Sequence, residues 1–168
     1  VEEAKAKVSI SHGEENFSLE CDKVLVVVGI QGNVEGIGLE ETGIISQNGS
    51  ITIDDRMQTN VSGIYAIGDV TGILPLAHVA SAQGVTAVEA IAGMNPPPLD
   101  YTMMPRAIYC KPQVASLGLT ESKAREQGHT VTIGKFPFAA SGKALALGEV
   151  DGMVKLVVDS DTNEVIGA

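Results

Sequence analysis

The feature that most constrains the fold is a strand–turn–helix succession between residues 64 and 93. Ile64-Tyr65-Ala66-Ile67 is a short apolar run that ends on Gly68-Asp69, and it reads as a strand. After Thr71-Gly72-Ile73-Leu74-Pro75, Leu76, Val79, Ala80, Gly84, Ala87, Val88 and Ile91 recur at helical spacing, and Gly93 supplies a stop. In open α/β sheets ligands bind outside the carboxyl ends of the strands. There Gly68 admits close approach to the backbone, and Asp69 offers two acceptor oxygens to hydroxyl or N–H groups.

The expected helix, residues 76–93, is built mainly of Ala, Val, Ser and Gly. Small residues let a helix approach a sheet or a planar ligand, although Gly84 costs about 1 kcal/mol of helix propensity relative to Ala. Tight helix–sheet packing explains those residues equally well. The orientation is what packing does not explain. A helix N-terminus, with unpaired N–H groups and a positive dipole end, lies beside the carboxylate and favours negative charge on whatever binds there.

Upstream, residues 6–11 and 16–21 flank His12-Gly13-Glu14-Glu15, and alternation in Val8, Ile10, Phe17, Leu19 and Cys21 predicts a β-hairpin with one polar face. Leu25-Val26-Val27-Val28, ending at Gly29, reads as a strand buried on both faces of a parallel sheet. Gly36-x-Gly38 has Glu41 where a dinucleotide fingerprint needs its third glycine, so this segment is expected to be a loop. Asn48-Gly49 predicts a hairpin turn leading into an alternating strand over residues 50–54.

Downstream, Asn95-Pro96-Pro97-Pro98-Leu99 is a stiff, extended linker and marks a domain boundary. Strands are expected at 106–109 and 114–117, around the turn at Lys111-Pro112. Thr120 is placed to cap a short helix over 121–127, closed by Gly128. Further strands are expected at 130–133, 153–158 and 164–166, the last after a turn at 159–163. Strands, a helix and more strands indicate an α+β unit following the α/β part.

Composition excludes several classes. The balance of 11 Lys and Arg against 21 Asp and Glu, net −10, is wrong for a nucleic-acid surface, and no basic cluster offsets it. No apolar run has the length of a membrane span, and Val1-Glu2-Glu3-Ala4-Lys5 lacks the basic and apolar regions of a signal peptide. A cytoplasmic protein without nucleic-acid or membrane partners is expected. Cys21 and Cys110 form neither a redox pair nor a metal-ligand pattern and read as buried free thiols. A chain that starts at Val1 and stops within the apolar Ile166-Gly167-Ala168 reads as a piece of a longer protein.

The residues also carry a family resemblance. Thr59-Asn60-Val61-Ser62-Gly63-Ile64-Tyr65-Ala66-Ile67-Gly68-Asp69 resembles the second FAD-binding motif of the flavoprotein disulfide reductases (pyridine nucleotide-disulfide oxidoreductases). Val26-Val27-Val28-Gly29 resembles the strand and glycine that close their NAD(P)-binding domain. Leu76-Ala77-His78, the segment from Tyr109 to Gly118, and Gly134-Lys135-Phe136-Pro137-Phe138 are similar to the dihydrolipoamide dehydrogenase branch.

The resemblance implies residues 1–42 as the end of an NAD domain, 43–98 as a returning segment of an FAD domain, and 99–168 as the first half of a dimer-interface domain. It implies FAD and NAD as cofactors, with Asp69 and Gly68 at the FAD ribityl chain. Pro75, Leu76, Ala77 and His78 would face the flavin pyrimidine ring, and Gly29 would lie near the nicotinamide nucleotide. It implies a homodimeric parent that passes electrons from dihydrolipoamide, borne on a lipoyl domain, through a disulfide and FAD to NAD. The CxxxxC pair and the His-Glu acid/base pair of that chemistry have no counterpart in these 168 residues, so no catalytic residue and no metal ligand is expected here. His78 is expected to be structural, and His12 and His129 to be solvated. Mercuric or glutathione reductase, soluble transhydrogenase, and a non-catalytic interaction domain on the same fold are the alternatives.

Overall fold

The computed structural model describes residues 5–168 and divides the chain into two compact units, 1–31 and 32–168. The signal-peptide reading of the N-terminus falls on residues 1–4, outside the described residues. The described residues form a mixed α/β architecture with small antiparallel sheets.

The first unit is the predicted hairpin. Strands β1 (Ala6–His12) and β2 (Glu15–Cys21) pair antiparallel through a two-residue turn in which Gly13 has φ 62°. The register sets Val8 opposite Leu19 and Ile10 opposite Phe17, so all four share one face, and Ser11 hydrogen-bonds Asn16 on the other. Residues 25–28 are not the buried strand that their sequence predicts. They join no ladder, and Leu25 and Val28 are 84% and 94% exposed. A parallel strand is buried only by strands and helices that flank it, and among the described residues none does.

In the second unit the segment after Gly36-x-Gly38 is not wholly loop. It holds a single helical turn, α1 (Leu39–Thr42), bounded by left-handed Gly38 and Gly43. Strands β3 (Ser46–Gln47) and β4 (Ser50–Ile51) form the predicted hairpin, with Asn48 and Gly49 both at positive φ as a type I′ turn requires. The alternating run to residue 54 stops pairing after Ile51 because Asp54 turns the chain: its carboxylate accepts from the amides of Arg56 and Gln58, each at 2.9 Å.

Thr59 and Asn60 are latches. Thr59 closes the turn to Ile64 through its amide at 2.9 Å and its hydroxyl at 3.1 Å. The Asn60 side chain accepts from the Ile45 amide and donates to the Gly43 carbonyl, both at 2.8 Å, tying this turn to the end of α1. The expected strand at 64–67 shrinks to one bridge, Tyr65 with Gln58, supported by the Ala66 amide on the Met57 carbonyl. As at residues 25–28, an apolar run has strand character but no flanking strands among the described residues.

Helix α2 (Ala77–Ile91) forms where predicted. Its buried face differs from the predicted one. Val79, Gln83, Thr86 and Ala87 are inside, whereas Val88 and Ile91 are exposed. A 3-10 turn at Tyr101–Met103 follows the proline-rich segment, with Asp100 capping the Thr102 amide at 2.9 Å.

Strands β5 (Arg106–Ile108) and β6 (Val114–Ser116) pair as a hairpin, and α3 (Glu121–Glu126) starts at the predicted cap, Thr120, whose hydroxyl accepts from the Lys123 amide at 3.3 Å. Strand β7 (Val131–Pro137), then α4 (Gly142–Leu147), which sequence patterning does not predict, lead to β8 (Met153–Asp159) and β9 (Val165–Gly167). These strands make one antiparallel sheet in the order β7-β8-β9. The chain around Gly118 clasps its far edge: Leu117 exchanges both backbone hydrogen bonds with Ala168 at 2.8 Å, and the Leu119 amide reaches the Ile166 carbonyl at 2.8 Å. Cys21 and Cys110 are free thiols as expected but not buried ones; Cys21 is half-buried and Cys110 exposed.

Candidate functional site

Gly68 and Asp69 open a 3-10 turn, Gly68–Thr71, instead of terminating a strand. Ile67 enters it in extended geometry, Gly68 has φ 78°, and left-handed Gly72 closes it with its amide on the Asp69 carbonyl at 3.0 Å. Positive φ strains any residue with a side chain, so glycine at 68 follows from the backbone. A Cβ there would also meet the Ala80 methyl at 3.4 Å, so the turn lies directly on α2.

The hydrogen bonds of this turn run through backbone, Thr71 and Gln83, and leave the Asp69 carboxylate exposed. Beside it, α2 begins at Leu76, which is extended and makes no side-chain cap, and the first turn carries no acidic residue. The Leu76 amide is bonded to the Leu74 carbonyl at 2.8 Å, and the next paired amide is that of Ala80, on the Leu76 carbonyl at 3.0 Å. The N–H groups of Ala77, His78 and Val79 between them keep their donor capacity, and the positive end of the helix dipole has no side-chain counter-charge. An acceptor carboxylate next to uncommitted backbone donors suits a ligand with hydroxyls at one end and an electron-rich polar edge at the other.

Pro75, Leu76 and Ala77 lie at that helix start as the sequence indicates. The His78 imidazole is turned to the Pro105 carbonyl, with Nε2 at 2.9 Å. A carbonyl only accepts, so Nε2 carries the proton in this contact. Gly29 belongs to the other unit and lies in the exposed extended segment after residues 25–28, at φ 141°.

Sequence reasoning missed Gln83. It is 1% exposed, and its Oε1 accepts the Gly68 amide at 2.6 Å. The available signal is positional: Gln83 lies four residues from both Val79 and Ala87, in the middle of the stripe that faces inward. His129, expected to be solvated, is instead half-buried, with its Nδ1 2.6 Å from a carboxylate oxygen of Asp159.

Two concave surfaces lie elsewhere. One of about 260 Å3 is lined by Arg106, Leu117, Thr120, Glu121 and Lys155 among others. Within it Glu121 accepts from Lys155 at 2.8 Å, a contact that, with Arg125 at 3.3 Å, holds its carboxyl below the ordinary range. The other, of about 350 Å3, lies along β4 with Thr71 at its edge. Neither takes Asp69 or residues 75–78 into its lining. Among the described residues no group of three or more His, Cys, Asp or Glu is placed to hold a metal ion, and no helix is long and apolar enough to cross a membrane.

Residues 1–84 match the family model described as pyridine nucleotide-disulphide oxidoreductase, and residues 104–168 match the dimerisation domain of the same family. The chain belongs to the pyridine nucleotide-disulphide oxidoreductase family. It is 55% identical over 153 residues to the dihydrolipoyl dehydrogenase of Bacillus subtilis, covering 91% of this chain and 32% of that protein. It is 52% identical over 162 residues to the dihydrolipoyl dehydrogenase of Mycobacterium leprae, covering 95% of this chain and 35% of the relative.

Among solved structures, LpdA from Mycobacterium tuberculosis superposes with a TM-score of 0.81 at 30% identity, covering 90% of this chain and 33% of that one. The HOCl-induced flavoprotein disulfide reductase RclA from Escherichia coli superposes with a TM-score of 0.83 at 25% identity, covering 98% and 38%. The chain thus spans about a third of the length of the curated relatives it matches. The family resemblance read from the motifs is borne out by these matches.

Proposed function

We propose that the chain is the central and interface part of an FAD- and NAD-dependent oxidoreductase of the dihydrolipoamide dehydrogenase type. Residues 1–42 would close an NAD domain, 43–98 would be the returning segment of an FAD domain, and 99–168 would begin the interface domain of a cytoplasmic homodimer. The observation that carries this reading is the pairing of the exposed Asp69 carboxylate with the uncapped first turn of α2.

In this reading FAD supplies the two-electron relay between a dithiol and NAD. The chain's own residues bind and tune it. The Asp69 carboxylate accepts hydrogen bonds from ribityl hydroxyls, and left-handed Gly68 keeps the backbone low enough for the cofactor to approach. The backbone at Pro75, Leu76, Ala77 and His78 presents the helix start to the pyrimidine edge, where the dipole favours negative charge by about 0.3–1 kcal/mol, more where buried. His78, occupied by the Pro105 carbonyl, orients the helix start and moves no proton. Gly29 would admit the nicotinamide nucleotide. The dihydrolipoamide substrate would arrive on a lipoyl domain of a multi-enzyme complex and react outside these residues.

The test is purification of the full-length parent. It should carry a yellow flavin chromophore and reduce NAD with dihydrolipoamide. A colourless protein that takes up no FAD on addition, or one that is inactive with dihydrolipoamide, would overturn the proposal.

A further inference from the structure

Gln83 is a buried polar side chain to which the binding scheme above gives no task. Its Oε1 accepts from the Gly68 amide at 2.6 Å, and its Nε2 donates to the Tyr101 hydroxyl at 3.0 Å and to Thr71 Oγ1 at 3.5 Å. The Thr71 hydroxyl donates back to the Gly68 carbonyl at 2.8 Å, so the two sides of Gly68 and the amide of Gln83 form a closed circuit. Outside it, the Tyr101 hydroxyl donates to Met57 Sδ at 3.9 Å. Gln83 and Met57 are each 1% exposed and Thr71 is buried, while Gly68 and Tyr101 are half-buried, so the Gln83 end of these bonds is shielded from water.

The amide of the residue before Asp69 is therefore held by α2 itself and its carbonyl by Thr71 of the same turn, in a left-handed conformation. We propose that Gln83 is the positioning residue that fixes the Asp69 carboxylate relative to the first turn of α2, with Tyr101 as its outer anchor. The proposal rests on the reading of Asp69 as an FAD ligand. Its physical content is preorganisation. A carboxylate on an unanchored turn must be ordered when the cofactor binds, at a cost to affinity, whereas one on a turn bonded to the same helix is already in place. A primary amide fits this task because it accepts from the Gly68 N–H and donates to two hydroxyls at once. Leucine does neither, and a carboxylate accepts only.

The experiment measures FAD affinity of the full-length apoprotein by flavin fluorescence, with circular dichroism to establish that each variant is folded. Gln83→Leu strands the half-buried Gly68 amide and should weaken FAD binding about tenfold or more, and Tyr101→Phe about two- to fivefold. Gln83→Glu keeps the acceptor for Gly68 and should fall between Gln83→Leu and the wild type. Ala87→Gly loosens the same buried helix face without touching Gly68, and should leave FAD affinity unchanged while lowering the melting temperature.

Wild-type affinity in Gln83→Leu and Tyr101→Phe overturns the positioning role. So does weakening by Ala87→Gly that matches Gln83→Leu for the same loss of melting temperature. If Gln83→Leu does not fold, Gln83→Glu and Tyr101→Phe decide by the same criteria. A wild-type protein that binds no FAD overturns the reading of Asp69 itself. Unchanged variants of a wild type that does bind overturn only the role of Gln83.

Discussion

His129 donates through Nδ1 to Asp159 Oδ2 at 2.6 Å, joining the segment between α3 and β7 to the end of β8. Asp159 also accepts from the amides of Asp161 at 2.9 Å and Thr162 at 3.4 Å, so one carboxylate organises the turn into β9. The His129 contact first, and the Asp161 amide second, hold its carboxyl below the ordinary aspartate range.

A depressed carboxyl stabilises the fold above its unfolded-state value and stops doing so as pH falls through its folded value. The expected outcome is stability that is full at pH 6 and declines as pH drops below about 4. Asp159→Asn should narrow its deficit from the wild type over that same descent. Urea unfolding of both proteins at pH 6, 4 and 3 measures it, and a deficit that stays constant would refute it. His129→Ala should raise the Asp159 titration midpoint in a carboxyl NMR titration.

Asp69→Ala in the full-length parent should weaken FAD retention about ten- to a hundredfold, because a charged acceptor for cofactor hydroxyls is lost. Its carboxylate is exposed and takes no part in holding the 3-10 turn, so circular dichroism should not change. Equal flavin content in mutant and wild type, after identical dialysis, would remove Asp69 from the binding scheme.

What the sequence made legible was local. The turn at Asn48-Gly49, the cap at Thr120 and the body of α2 depend on residues within a few positions of one another, and each forms as its residues indicate. The runs at 25–28 and 64–67 have strand composition, but pairing depends on chain that no local pattern reports, and neither joins a sheet. Gln83 was hidden for a related reason. A glutamine reads as an outward residue until Tyr101, 18 positions later, and Gly68, 15 earlier, supply its partners. His129 and Asp159 are 30 positions apart, and that distance explains why the histidine read as solvated. Residues 68–69 and 75–78, proposed to face the cofactor, stand out in the sequence because motif and helix start coincide there; Gln83, which bonds Gly68 from the middle of α2, does not.

Asn60→Ala should destabilise the chain by about 0.5–1.5 kcal/mol, since it removes the bonds to the exposed Ile45 amide and Gly43 carbonyl together. Asn60→Asp keeps the acceptor and loses the donor, so it should lie between Ala and the wild type. Thermal unfolding of the three proteins orders them. An unshifted midpoint in Asn60→Ala would mean that water replaces both bonds at no cost.

Glycines 167 and 142 should respond oppositely to alanine. A Cβ at Gly167 would collide with the Leu119 carbonyl, backbone that is itself bonded to β9. Neither side can yield without breaking the clasp at the sheet edge, so Gly167→Ala should cost about 1–3 kcal/mol or more. Gly142 opens α4 and meets nothing within 4 Å, so Gly142→Ala should be neutral or stabilise by about 0.4–1 kcal/mol. Chemical denaturation distinguishes the two, and equal midpoints would contradict the packing seen at Gly167.

The purified 168-residue chain should show no dihydrolipoamide-dependent reduction of NAD, even with FAD added in excess. Dithiol oxidation through a flavin needs a disulfide to accept the electrons and a base to take the thiol proton. The sequence has two cysteines, at 21 and 110, which are free thiols in different units. Neither can form a CxxxxC pair. His78 is held by the Pro105 carbonyl and His129 by Asp159, while His12 lies at the hairpin turn. None of the three is set beside a thiol as a base. Any flavin bound at Asp69 would thus have no route for electrons from the substrate. A spectrophotometric assay at 340 nm checks this, with the full-length parent as positive control. Turnover above the blank by the chain alone would show that the chemistry resides in these residues after all.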